Sequence, residues 1–79
     1  LINHRLDRER QIKDTIKNSP LTALEIAEIV YTDIDKLLIP AATRNVFAHL
    51  IDLNERKLID FLDEISEKSK AGLRNQQYF

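Results

Sequence analysis

The sequence contains no cysteine, which excludes disulfide staples and thiolate metal sites and leaves the redox compartment open. Glycine occurs once, at Gly72, and proline twice, at Pro20 and Pro40. That is too few for the turns of an all-β sandwich, and a lone glycine cannot make a phosphate-cradling loop. Aromatic residues are scarce, with three phenylalanines and two tyrosines. No apolar run approaches the roughly 18 residues of a membrane span, and no signal or transit pattern opens the chain. Neither sign of charge dominates: 12 basic side chains face 13 acidic ones, a net charge of −1. No overall field therefore draws the chain to nucleic acid or to an anionic membrane.

What is present is aliphatic and charged. Leucine and isoleucine fill 21 of the 79 positions, against two valines. Branched aliphatics with few aromatics suit packed helices. Hydrophobic residues at 43% and charged residues at 32% are the balance of a globular chain. The length is that of one domain over 1–79, burying about 60% of its unfolded surface around a thin core. The chain opens on Leu1 inside a segment that already reads as structured, the expected mark of a fragment whose upstream residues lie elsewhere.

Residues 4–18 (HRLDRERQIKDTIKN) read as a helix with Leu6, Ile12 and Ile16 near one side. Glu9–Lys13 and Arg10–Asp14 fall at i,i+4 spacing. Ser19-Pro20 ends the segment, because the residue before proline resists the helical region. Thr22-x-x-Glu25 is a capping box that starts a second helix running to about Tyr31, with Ile26, Val30 and Tyr31 as its buried stripe. Residues 34–38 can form one or two helical turns. Pro40 sits where a third helix should begin, and Ala42, Val46, Leu50 and Leu53 give residues 40–56 an inward stripe, with Phe47 beside it. Asp52 and Arg56 are an i,i+4 pair in the better orientation. The last segment reads two ways. Lys57 to Phe61 alternates like a strand, giving a hairpin with strands near 57–61 and 68–73 around the acidic DEISE. Phe61, Leu62 and Ile65, with Gly72 as a stop, equally fit a helix over about 60–71. Periodicity does not choose between them. The order of elements is that of a mainly α winged helix-turn-helix, with three to four helices and a small C-terminal β-hairpin wing.

A catalytic site needs side chains that work together. His4 and His49 lie 45 residues apart, and no His-x-His or His-x-x-x-His pair exists to seat zinc. None of the serines at 19, 66 and 69 sits in a nucleophile elbow. The carboxylates spread along solvent faces. No catalytic or metal-ligating residue is expected in these 79 positions. The residues with contact chemistry are His4, Arg5, Arg8, Arg44, Asn45 and His49. The arginines suit phosphates or a partner's carboxylates, and His49 lies beside the inward stripe. DNA reading is disfavoured. The leading turns of the third helix offer only Thr43, Arg44 and Asn45 to a duplex, and the wing carries Asp60, Asp63, Glu64 and Glu67.

Three segments in order carry a resemblance. HRLDRERQI at 4–12 presents His4, Arg5, Arg8 and Glu9. SPLTALEIAEIVY at 19–31 presents Thr22, Glu25, Ile26, Val30 and Tyr31. PAATRNVFAHLIDL at 40–53 presents Ala41, Ala42, Asn45, Val46, His49, Leu50 and Leu53. Together, over about 4–59, they resemble the C-terminal winged-helix domain of metallo-β-lactamase-fold hydrolases, in particular the β-lactamase-like protein 2 group and similar bacterial hydrolases. The resembled pattern carries a glycine before a lysine and an aliphatic residue where the wing begins. This chain has Arg56 before Lys57-Leu58, which leaves the tightness of that turn, and with it the hairpin, open.

The resemblance implies a parent enzyme with an upstream catalytic domain holding one or two zinc ions through a His-x-His-x-Asp-His motif. None of those ligands lies in this sequence, so no cofactor is expected in the chain itself. It further implies that the domain packs on the catalytic domain near the active-site mouth, with RNA or a thioester as substrate of the parent. His4, Arg5, Arg8, Asn45 and His49 would be the polar contacts at that seam or groove. The expected compartment is cytoplasmic, with a mitochondrial one as the alternative, and no membrane partner is expected. The rival readings are a free-standing winged-helix DNA binder and a protein-interaction module.

Overall fold

The computed structural model describes residues 4–74, with side chains from Leu6 onward. Three helices carry the domain: α1 (His4–Thr15), α2 (Ala23–Val30) and α3 (Ile39–Glu55). A 3₁₀ turn (Lys36–Leu38) leads into α3, and two short strands, β1 (Ile59–Phe61) and β2 (Ala71–Leu73), follow it. This is a winged helix: α2, the connecting turn and α3 form the helix-turn-helix, and the β1–β2 hairpin is the wing.

α2 begins where the capping box places it. Thr22 accepts from the Glu25 backbone N–H at 3.2 Å, and the Glu25 carboxylate accepts from the Thr22 N–H at 2.9 Å. Pro40 occupies the first turn of α3, where its missing N–H costs nothing. Ala42, Val46, Leu50 and Leu53 are buried as a continuous stripe. They meet Ile26 and Ala27 of α2, Ile12 of α1 with Ile16 just beyond its end, and Ile59 and Ala71 of the wing in one cluster. Phe47 packs edge-on against Phe61, with ring centroids 6.0 Å apart.

α1 departs from the sequence reading. It ends at Thr15, ahead of Ser19-Pro20, with the Thr15 hydroxyl donating to the Ile12 carbonyl at 2.6 Å. Leu6 is 58% exposed, while Glu9 is only 5% exposed. The reason is angular. Glu9, Ile12 and Ile16 follow the i, i+3, i+7 spacing of one helix face, and Leu6 projects roughly 90° away from it. The Glu9 carboxylate accepts from the Arg56 guanidinium at 2.6 Å, and Asp52 holds the same guanidinium at 3.0 Å. α1 is thereby tied to the C-terminal end of α3.

The final segment is a hairpin, so the alternative helix over about 60–71 is excluded. Ile59 pairs with Leu73, Asp60 with Gly72 and Phe61 with Ala71, antiparallel. Gly72 is a strand residue rather than a helix stop. Non-local pairing decides the outcome. Ala71 exchanges backbone hydrogen bonds with Leu21, at 2.8 and 3.1 Å, so the α1–α2 connection forms a third rung beside β2. The strands are shorter than the sequence suggests, and the acidic residues of 62–70 form the exposed loop between them.

The junction between α3 and the wing is tight. Leu58 N–H donates to the Leu53 carbonyl and Lys57 N–H to that of Asn54, both at 3.0 Å. This is a Schellman C-cap. Lys57 takes the left-handed position, with φ of 65°, while Arg56 stays at −83°. The tightness left open at Arg56 is therefore settled in two respects. The position that calls for glycine is 57, and the turn closes with lysine in it.

Candidate docking surface

The six residues singled out from the sequence fall in different surroundings. The side chains of His4 and Arg5 lie outside the described residues. Arg8 is half-buried: its guanidinium donates to Gln11 at 2.7 Å and lies 4.3 Å from the centre of the Tyr31 ring. This cation–π contact joins α1 to the end of α2. Asn45 and His49, four residues apart on α3, share a helix face with Asp52 and Arg56. Asn45 is exposed and His49 half-buried. Arg44 projects from a neighbouring face into a separate groove.

That groove is shaped by the fold. It has a volume of about 370 Å³ and lies between α2, the start of α3 and the wing loop, lined by Leu24, Ile39, Pro40, Thr43, Arg44, Glu67 and Lys68. Thr43 is oriented by donating its hydroxyl to the Ile39 carbonyl at 2.8 Å, which hides the polar atom and leaves the groove wall apolar. Leu37 and Leu38 precede the wall and are 85% and 54% exposed. Among the described residues Arg44 has no hydrogen-bond or ion-pair partner, whereas Arg56 and Arg74 are each held by carboxylates.

The electrostatics are local. Hydrogen bonding to Glu9 raises the Arg56 guanidinium above its ordinary value, with Coulomb attraction to Glu9 and Asp52 adding to it and partial desolvation opposing it. The Thr22 backbone N–H lowers the Glu25 carboxyl. Among the described residues no group of three or more histidine, aspartate and glutamate side chains is placed to hold a metal ion. Nor is any described helix long and apolar enough to cross a membrane.

Sequence reasoning missed two parts of this surface. Glu9 was read as a surface ion-pair partner, although the 9/12/16 spacing carried the signal for its burial. The run Leu37-Leu38-Ile39-Pro40 in a short turn carried the signal for the apolar approach to the groove.

The fold has a counterpart among known families. A family model described as "Beta-lactamase associated winged helix domain" matches residues 22–68, more than half of the chain. The matched span runs from the α2 N-cap through α3 into the wing loop. No curated protein and no solved structure gave a match.

Proposed function

The chain belongs to the family of beta-lactamase-associated winged-helix domains, and from that premise we propose that it is the C-terminal accessory domain of a metallo-β-lactamase-fold hydrolase. In this reading it packs on the catalytic domain of its own chain and shapes the substrate groove. The parent's zinc ions, and its RNA or thioester substrate, belong to that upstream domain. The present residues contribute contact and positioning, with no step of the reaction.

One observation carries this reading beyond the family match: the character of the helix that a DNA-binding winged helix would place in the major groove. Its approach is Leu37, Leu38, Ile39, Pro40 and Ala41, and the exposed polar side chains over the next turn are Arg44 and Asn45. Base readout needs several donors and phosphate neutralisation needs many cations, and Arg44 and Asn45 with Lys68 nearby fall short of both. Exposed leucines at 37 and 38 suit contact with protein. The contacts at the seam would be His4, Arg5, Arg8, Asn45 and His49, the last three carried on α1 and on the α3 face that leads toward α1.

The test is the full chain with alanine at both Arg5 and Arg8. Reduced turnover or a separated domain in hydrogen exchange supports the reading. Unchanged kinetics with unchanged thermal stability refutes it. A gel shift against random duplex at low salt tests the DNA reading, which submicromolar binding would favour.

A further inference from the structure

Two exposed surfaces of this chain are reciprocal in chemistry. The first is the groove beside α3: an apolar floor of Leu24, Ile39 and Pro40 flanked by Arg44 and Lys68, with Glu67 as its one acid. Two cations against one carboxylate make it locally positive in a chain whose net charge is −1. The second is the wing loop, where Leu62 and Ile65 are 57% and 58% exposed on either side of Asp63 and Glu64. Two large apolar side chains bracketing two acids are what an apolar groove with a cationic rim selects.

We propose that the groove is occupied by the wing loop of a second copy of this chain, Leu62 and Ile65 against the apolar floor and the Asp63–Glu64 pair facing Arg44 and Lys68. The two surfaces adjoin, since Glu67 and Lys68 of the wing loop form one wall of the groove. Adjacent complementary surfaces allow each copy to seat its loop in the other, which closes a two-fold dimer rather than an open filament. A net charge of −1 leaves little long-range repulsion to oppose self-association. The Arg44 guanidinium, without a partner among the described residues, acquires one in this arrangement, and three exposed large apolar residues (Leu24, Leu62 and Ile65) lie in the contact. The face is distinct from the α1 side proposed for the catalytic domain, so each interface can fail without the other.

The experiment is sedimentation of the full chain over a concentration series, for the wild type, Arg44→Glu, Glu64→Arg and the charge-swapped double variant. The expected result is a concentration-dependent dimer that salt weakens. Each single reversal should weaken it about tenfold or more, and the double variant should restore most of it. Ile65→Asp, at an exposed position, should weaken it with an unchanged circular dichroism spectrum. A monomer up to millimolar concentration overturns the proposal. So does a dimer indifferent to both reversals, a double variant without rescue, or a cross-link from residue 44 to another segment of its own chain in place of the partner's wing loop.

Discussion

Replacing Lys57 by glycine tests the backbone geometry at the α3–wing junction directly. Lys57 holds φ at 65°, and its N–H and that of Leu58 close the last turn of α3 onto Asn54 and Leu53. For an L-residue the left-handed region costs about 1–2 kcal/mol. Glycine avoids that cost but raises the conformational entropy of the unfolded chain, which returns about 0.4–1 kcal/mol. The net expectation is a stabilisation of about 0.5–1 kcal/mol. For a domain of this size that corresponds to a rise in Tm of roughly 2–8 °C. Thermal unfolding followed by circular dichroism measures it. Lys57→Asn should fall between lysine and glycine, because asparagine tolerates this region better than other side chains. Lys57→Ala should change little, since it keeps the Cβ that causes the clash. A glycine variant that melts at or below the wild type would refute the argument. An alanine variant that rises as far as glycine would show that the ammonium group, and not the backbone, sets the effect.

Other expectations follow from the same contacts. Thr22→Ala should cost about 1 kcal/mol in urea unfolding, because it removes one half of the capping box. The Glu25 carboxyl is lowered below its ordinary value of 4.5 by the Thr22 N–H. A group more acidic in the folded state stabilises the fold above its unfolded pKa and loses that contribution as pH falls through the folded value. The stability advantage of wild type over Glu25→Gln should thus shrink below about pH 4.5, and a constant difference would contradict this assignment. Arg56→Ala should lower Tm more than Arg74→Ala: the first removes a guanidinium contact from the buried Glu9, the second only one from the partly exposed Asp60. Leu50→Ala, at a fully buried core position, should cost about 2–5 kcal/mol in urea unfolding.

The helix-turn-helix was legible because its signals are local. Thr22 and Glu25 fix a helix start within one turn, and Ala42, Val46, Leu50 and Leu53 repeat at the spacing of a single face. Elements set by distant partners were not legible to the same degree. KLIDF at 57–61 fits a strand or a helix by its own pattern, and its pairing with 71–73, itself bridged to Leu21, is what selects the strand. Glu9 was misread because an acid on a buried stripe contradicts the hydrophobic pattern, and its guanidinium lies 47 residues further along the chain. Leu6 was placed inside for its chemistry alone, although its angle around the helix points it outward. Of the candidate contact residues, Arg8 gained a defined setting against Tyr31 and Arg44 a place in the groove. Neither could be derived from one helix at a time.

The rung between Leu21 and Ala71 links positions 50 residues apart, and Ala71 is fully buried where it donates. Closing so long a loop delays this contact until α1, α2 and α3 have brought their ends together, so the wing is expected among the last parts to assemble. Its amide is consequently a sentinel. Slow exchange with deuterium at Ala71 would report that the two halves of the chain remain zipped, whatever happens at the loop tip beyond them.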